Sequence, residues 1–363
     1  MNTEFHSLVI KAVEPLTKDS VAITFDVPPE LADTFYYIQG QHLTLKTTID
    51  GQDIRRSYSI CQSAQAQRLQ VAVKRIEQGI FSNFANEQLK PGMALDVMPP
   101  QGHFYTEVDA KQEKHYLFIA VGSGITPILS QIQTLLNAEP LSQVTLIYGN
   151  KSTPHMMFRE KLSFIKNHDM QRFQWINLFT QEENEAELFN GRLSSEKLSA
   201  LSHAKLIDLS SIDDVFLCGP EEMINEVVAY LKQQQNFTED NIHYELFFAG
   251  AALNKARQNQ QARAEKFGGK VAKVSVKVAG RKTTLALAAD GKNILDAAME
   301  NGADLPFSCK GGVCATCKAK VIKGEVEMDM NHSLTEQEVA EGMILTCQAH
   351  PVSDEVEVDF DFS

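Results

Sequence analysis

Short runs in which apolar and polar positions alternate fill the first hundred residues: Ser7-Leu8-Val9-Ile10-Lys11-Ala12-Val13, Val21-Ala22-Ile23-Thr24-Phe25 and Leu69-Gln70-Val71-Ala72-Val73. A period of two puts alternate side chains on one face, as in a half-buried strand. Turn residues such as Asp50-Gly51 and Pro91-Gly92 break the runs. Strands of this length and spacing predict a small antiparallel barrel or sandwich, interrupted by one helix from Ser82 to Leu89.

From Tyr116 the pattern changes. Tyr116-Leu117-Phe118-Ile119-Ala120-Val121 is continuously apolar, as a strand buried on both faces must be. A helix follows over Ile128 to Asn137, where Ile128, Leu129, Ile132, Leu135 and Leu136 make one apolar stripe. Further strands are predicted at Gln143 to Tyr148, Phe173 to Phe179, Asp214 to Cys218 and Ile242 to Phe248, with a helix to Gln234 between the last two. Strands alternating with helices predict an α/β domain built on a parallel sheet.

Ala249 to Lys270 is polar and glutamine-rich, with little to bury, and reads as a coil linker. About 20 residues of coil span roughly 25 Å. From Val271 the pattern restarts as an α+β unit. Lys273 to Val278 and Thr283 to Ala288 form a hairpin around Ala279-Gly280, Asn293 to Asn301 is a short helix, and a strand begins at Cys317 to Val321. The tail from Asp354 to Phe360 alternates as a strand whose acidic outward face is either a docking face or simply solvated. The expected domains are therefore 1–108, 109–249 and 270–363, with 250–269 as linker.

Composition narrows the class. A chain of 363 residues exceeds the usual single domain, and 43% hydrophobic with 22% charged residues is ordinary for a globular protein. No apolar run reaches the roughly 20 residues of a membrane span, and Met1-Asn2-Thr3-Glu4-Phe5 does not open a signal peptide. The expectation is a cytoplasmic protein without a membrane partner. A net charge of -13 argues against nucleic acid and anionic lipid. H-E-x-x-H, Walker and G-x-S-x-G motifs are absent from the sequence.

The chemistry is densest in Cys309-Lys310-Gly311-Gly312-Val313-Cys314-Ala315-Thr316-Cys317, with Cys347 further on. Cys309, Cys314 and Cys317 show the C-x4-C-x2-C spacing of a plant-type [2Fe-2S] cluster, completed by a distant fourth cysteine. Zinc is the rival, but structural zinc sites usually pair two C-x2-C knuckles, and only one is present. Gly311 and Gly312 are expected to give the wrapping loop its positive φ. A thiolate cluster needs a reducing compartment, so Cys61 and Cys218 are read as free thiols.

Other stretches fit nucleotides. Arg56 and Tyr58, two apart on a strand, share one face and suit a phosphate fork with a stacking ring, or are simply exposed strand residues. Gly79-Ile80-Phe81-Ser82 runs into a helix whose free N–H groups suit a diphosphate, or are capped by Ser82. Gly122-Ser123-Gly124-Ile125-Thr126-Pro127 is a glycine turn between strand and helix, with Thr126 placed to cap and Pro127 at the first helical position. After the second strand no carboxylate comes until Glu160, and Asn150-Lys151-Ser152 suits a 2'-phosphate and hence NADPH over NADH, or Lys151 is a solvated lysine. Cys218-Gly219-Pro220 sits at a strand end, in the α/β crevice or as a buried small hydrophobe.

Taken in order, these motifs resemble the ferredoxin-NADP reductase superfamily with a plant-type ferredoxin fused at the carboxyl end. The ferredoxin portion, including Gly324-Glu325-Val326-Glu327-Met328, is most similar to the reductase components of phenylacetyl-CoA ring-epoxidising monooxygenases. The resemblance implies an FAD-binding barrel, an α/β NAD(P)-binding domain and a β-grasp [2Fe-2S] domain. Arg56 would take the FAD diphosphate, Tyr58 the isoalloxazine face and Ser59 a hydrogen bond near flavin N5, with Gly79, Phe81 and Ser82 as the second FAD segment. Gly122, Gly124, Thr126 and Pro127, then Cys218, Gly219, Pro220 and Met223, would form the pyridine-nucleotide segments, with Cys218 beside the nicotinamide. Ser59, Thr126, Cys218 and Glu245 are the candidates for orienting nicotinamide or tuning flavin. Electrons from NADPH would pass through FAD and the cluster to an oxygenase, expected to be di-iron. A fatty-acid desaturase, a steroid hydroxylase or a hybrid-cluster protein are other acceptors, and a redox sensor is the non-catalytic alternative.

Overall fold

The structure, a computed structural model, describes residues 4–247 and 252–362, with the backbone alone for 252–258. Two compact units divide at Phe247.

The first unit opens with strands β1 (His6–Thr17), β2 (Ser20–Asp26), β3 (His42–Ile49), β4 (Gln52–Ser59), β5 (Gln70–Lys74) and β6 (Ala94–Val97). They form an antiparallel sheet in the order β4-β3-β6-β1-β2-β5. A bridge between Ile60 and Val71, with Cys61 N–H donating to Gln70 O at 3.0 Å, joins its two edges into a barrel. Helix α1 (Ile80–Glu87) buries Phe81 and Ala85 in the barrel core. It starts two residues before Ser82. The Ser82 hydroxyl accepts from Ile76 N at 3.1 Å and donates to Gly79 O at 3.2 Å, so it does not cap the helix.

Strands β7 (His115–Val121), β8 (Gln143–Asn150), β9 (Phe173–Phe179), β10 (Asp214–Gly219) and β11 (Ile242–Leu246) make a wholly parallel sheet in the order β11-β10-β7-β8-β9. The order reverses between β7 and β10, which opens a crevice at their carboxyl ends. Helices α2 (Ile125–Ala138), α3 (Arg159–His168), α4 (Ser195–His203) and α5 (Glu221–Leu231) connect the strands. A 3-10 turn over Gly122–Gly124 feeds α2 directly. Pro127 is therefore its third residue, and Thr126 does not cap it but donates to Ser123 O at 3.1 Å. The helix is buried almost all round because it lies between sheet and barrel: Ser130 Oγ donates to Gln62 O (2.6 Å) and Gln133 Nε2 to Cys61 O (3.2 Å). Barrel and sheet thus form one unit. β11 ends at Leu246, and Phe248 of the expected strand lies outside the described residues.

The expected coil linker is mostly helix, α6 (Ala252–Phe267); its start at 249–251 lies outside the described residues. Sixteen consecutive residues free of glycine and proline, rich in alanine, arginine, lysine and glutamine, favour a helix even where little is apolar. Gly269, at φ 80°, follows its end.

The second unit continues with β12 (Val271–Val278), β13 (Arg281–Ala288), α7 (Ile294–Glu300), β14 (Lys318–Lys323), β15 (Val326–Met328), α8 (Glu336–Ala340), β16 (Met343–Leu345), β17 (Ala349–Pro351) and β18 (Glu355–Asp359). Its main sheet runs β13-β12-β18-β14-β16, with β12 and β18 parallel, as in a β-grasp. Ala279 (φ 48°) and Gly280 (φ 72°) make the tight turn between β12 and β13. β18 lies inside the sheet, and its acidic residues meet lysines of other strands: Glu357 with Lys282 of β13 (2.7 Å), Asp359 with Lys277 of β12 (3.1 Å) and Glu355 with Lys323 of β14. The acidic alternation is thus neutralised within the sheet.

Candidate functional site

β4 presents the first group of residues. Arg56 is exposed, and its Nη1 donates to Arg55 O at 2.7 Å, whereas neighbouring Arg55 is buried and held by Asp53 at 3.0 Å. Tyr58 packs against Phe81 with ring centroids 5.4 Å apart, so the β4 face and the start of α1 are contiguous. Gly79 precedes α1 with no side-chain cap, and no acidic residue lies in its first turn. A Cβ on Gly79 would stand 2.5 Å from Ser82 Oγ. The result is an open helix start beside an arginine and an aromatic face, which suits a dinucleotide diphosphate and a flat ring.

Ser59 closes β4, and its Oγ donates to Glu245 Oε2 at 3.1 Å on β11. In the sheet register Glu245 pairs with Cys218, and Cys218 with Ala120. Cys218 is fully buried; that burial, reinforced by the Glu245 carboxylate, pushes its thiol well above the ordinary value. The thiol is therefore neutral near pH 7. Gly124 packs against it so closely that a Cβ would lie 2.1 Å from Cys218 O, and Gly219 would meet Met223 Cε at 2.9 Å. Only backbone fits where the two strand ends meet, which leaves a shallow floor for a flat ring. The Thr126 hydroxyl is turned back into its own loop.

Gly122 takes φ 57°, and Tyr148 Oη donates to its carbonyl at 3.0 Å. Asn150, buried at the end of β8, has neither side-chain amide atom hydrogen-bonded to protein. Lys151 is exposed, while Ser152 Oγ lies 2.7 Å from His155 Nδ1. α2 has no acidic residue in its first turn, whereas α5, which follows Pro220, opens with Glu221 and Glu222. An anion is thus favoured at the Gly122 turn over the Pro220 turn. Motif reading missed Lys74. This lysine at the end of β5 has its Nζ 4.0 Å from where a Gly122 Cβ would be, and burial, with Lys151 nearby, lowers its ammonium value. No local motif marks it, because β5 and the glycine turn meet only in the folded unit.

The four cysteines of the second unit are free thiols, with Cys314, Cys317 and Cys347 buried and Cys309 partly so. They fall into two pairs. A hydrogen bond between Cys309 and Cys314 pulls Cys314 down to about 6 and raises Cys309; one between Cys317 and Cys347 raises Cys317 and lowers Cys347. Among the described residues no three His, Cys, Asp or Glu side chains are placed to hold a single metal ion. Four free thiols at this spacing fit a [2Fe-2S] cluster. In the loop Gly312 has φ 76°, but the other positive φ values belong to Lys310 (51°) and Ala315 (53°). Gly311 instead points its N–H at Cys309 Sγ, 3.2 Å away.

Comparison with known proteins follows this division. Residues 7–105 match the oxidoreductase FAD-binding domain, 118–229 the oxidoreductase NAD-binding domain and 276–352 the 2Fe-2S iron-sulfur cluster binding domain. The chain is 46% identical over 343 residues, 94% of each chain, to one of the subunits of the 1,2-phenylacetyl-CoA epoxidase of Escherichia coli K12. It is 31% identical over 357 residues, 93% of this chain and 91% of the other, to the ferredoxin reductase component of 3-ketosteroid-9-alpha-monooxygenase from Mycobacterium tuberculosis. Among solved structures, phthalate dioxygenase reductase matches with a TM-score of 0.60 at 22% identity, covering 98% of both chains.

Proposed function

This chain belongs to the family of oxidoreductases that join FAD-binding, NAD-binding and 2Fe-2S domains and pass electrons to oxygenases, and from that premise we propose that its acceptor is the oxygenase of a phenylacetyl-CoA epoxidase. It is an NAD(P)H oxidoreductase that uses FAD and a [2Fe-2S] cluster. When bound, these groups supply the conversion of an electron pair into single electrons. The chain supplies placement. Arg56 and the open start of α1 hold the FAD diphosphate, Tyr58 covers the ring, and Ser59 with Glu245 fixes a hydrogen-bonding edge beside the crevice. The Gly122 turn, Lys74 and Asn150 receive the pyridine nucleotide, with Gly124, Gly219 and the neutral Cys218 as a close-packed floor and Met223 behind. Cys309, Cys314, Cys317 and Cys347 hold the irons.

Three finer points belong to the same proposal. Lys151 favours the 2'-phosphate of NADPH over NADH: it is exposed just after β8, and the nearby Glu182 carboxylate is already engaged by Thr153 N and Oγ1 at 2.6 and 2.7 Å. The oxygenase is di-iron. Thiolate ligation places the work in a reducing compartment, the cytoplasm; no described helix is long and apolar enough to cross a membrane.

The near-full-length identity to a 1,2-phenylacetyl-CoA epoxidase component carries this reading. Its test is reconstitution with that epoxidase's oxygenase components, phenylacetyl-CoA and either NADPH or NADH, with a steroid hydroxylase and a desaturase as competing acceptors. Product formed fastest with the epoxidase, and with NADPH, is expected. Faster delivery to another acceptor would overturn the assignment, and absence of cytochrome c reduction would favour a sensor.

A further inference from the structure

The helix that stands where the sequence suggests a tether is bolted to the second unit by a buried ionic cluster. Arg263 of α6 is 4% exposed, and its guanidinium grips Asp329 with both terminal nitrogens, Nη2 to Oδ2 at 3.3 Å. Its Nε donates to Ala289 O at 3.3 Å. Asp329 also receives His350 Nε2 at 3.1 Å, and Asn259 Nδ2 donates to its backbone carbonyl at 2.9 Å. Burial would raise this carboxyl, but hydrogen bonds from His350 and Arg263 outweigh it and hold Asp329 below the ordinary carboxylate range.

Asp329 leads straight to the cysteine loop. Its N–H donates to Gln348 O at 2.9 Å, and Gln348 Nε2 donates to Lys310 O at 3.0 Å while lying 3.6 Å from Cys347 Sγ. The residues after Asp329 close over the loop from the other side. His332 N donates to Gly312 O at 3.1 Å, and a Cβ on Gly312 would meet Met330 O at 3.1 Å. A helix outside the cysteine motif therefore reaches the irons' ligands through one carboxylate.

We propose that Arg263 is a positioning residue for the [2Fe-2S] site: by pairing with Asp329 it fixes the 329–333 turn over the cysteine loop and cancels a buried negative charge beside it. The inference rests on the four-cysteine assignment above and not on which oxygenase accepts the electrons. Reduction adds negative charge to the cluster, so a neighbouring uncompensated anion opposes it and an uncompensated cation favours it. Removing each partner in turn must therefore move the reduction potential in opposite directions. A purely structural loosening has no reason to do so.

The test is an anaerobic redox titration of the full-length holoprotein at one fixed pH, followed by the cluster's EPR signal and visible circular dichroism. Arg263→Met should lower the potential and Asp329→Asn should raise it, each by several-fold in the oxidised-to-reduced ratio at a fixed applied potential. The double variant should return close to the parent. Arg263→Lys, which keeps the charge, should stay near the parent potential, and with Asp329→Asn it decides the matter if Arg263→Met does not fold. Gln260→Ala removes a separate anchor of the same helix, a 3.0 Å bond to Asp290 O, and should leave the potential alone. Shifts of one sign in Arg263→Met and Asp329→Asn, no shift in either, or an equal shift in Gln260→Ala would overturn the proposal. A parent protein without cluster bands after iron and sulfide are supplied would overturn the cysteine assignment, and this inference with it.

Discussion

Ser59 and Glu245 are 186 positions apart in sequence, yet Ser59 Oγ donates to Glu245 Oε2 at 3.1 Å, where the last residue of a barrel strand meets the last strand of the parallel sheet. The bond ties the end of β4 to the edge strand of the parallel sheet within one unit, between the surfaces proposed for flavin and nicotinamide. A hydrogen bond to a charged group is worth about 1.5–3 kcal/mol. If the pair acts together, Ser59→Ala and Glu245→Ala will be non-additive in the rate of flavin reduction measured by stopped flow, with a coupling of roughly tenfold. Independent effects from the two substitutions would show that the contact is incidental to hydride transfer.

Cys218 is buried and its thiol raised by burial and by Glu245. It should resist iodoacetamide in the native protein at pH 8 and react only on unfolding. The pH profile of flavin reduction should show no thiol ionisation between pH 7 and 9. A step near the ordinary thiol value, about 8.5, that vanishes in Cys218→Ser would contradict this.

Gly124 has no room for a side chain, since a Cβ would lie 2.1 Å from Cys218 O. Gly124→Ala must push the glycine turn off the end of β10. Overpacking of this kind costs about 1–3 kcal/mol. The expected outcome is a lower melting temperature and a KM for NADPH raised about tenfold, with FAD still bound. An unchanged KM would mean that the nucleotide does not use this floor.

Lys74 and Lys151 separate two tasks. Lys74 stands at the Gly122 turn, so Lys74→Met should weaken NADPH and NADH alike. Lys151→Ala should lower kcat/KM for NADPH by several-fold and leave NADH nearly unchanged. The ratio of the two nucleotides' kcat/KM in each variant is the measurement, and a selective loss of NADPH in Lys74→Met alone would reverse the assignment.

Asp214 supplies an acid-sensitive element. Burial would raise its carboxyl, but His243 at 3.6 Å and a hydrogen bond from Lys114 at 2.8 Å outweigh it and depress it below the ordinary value. A carboxyl depressed on folding stabilises the native state above its unfolded value, about 3.9, and loses that contribution as pH falls through the lower folded value. Urea unfolding of the first unit should therefore lose this contribution below about pH 4. Asp214→Asn should be less stable by about 1–3 kcal/mol at pH 7 and lose less on acidification.

What the sequence alone determined was local. The Cys309, Cys314, Cys317 and Cys347 spacing, the Gly122 turn and the alternation of the barrel strands each lie within one or two elements, where spacing and backbone preference act directly. Polarity misled at 250–269, because helix propensity does not need an apolar stripe when an ionic anchor such as Arg263 fastens the helix. At β18, where docking and solvation were both open, the acidic side chains stay partly exposed and pair with lysines of the sheet. Only the tertiary structure decided that Ser59 meets Glu245, that Lys74 stands at Gly122, that Gly124 rests on Cys218 and that Arg263 reaches Asp329. Each joins residues far apart in the chain, and the polar ones are held together because a buried polar or charged group must find a partner wherever packing brings one within reach.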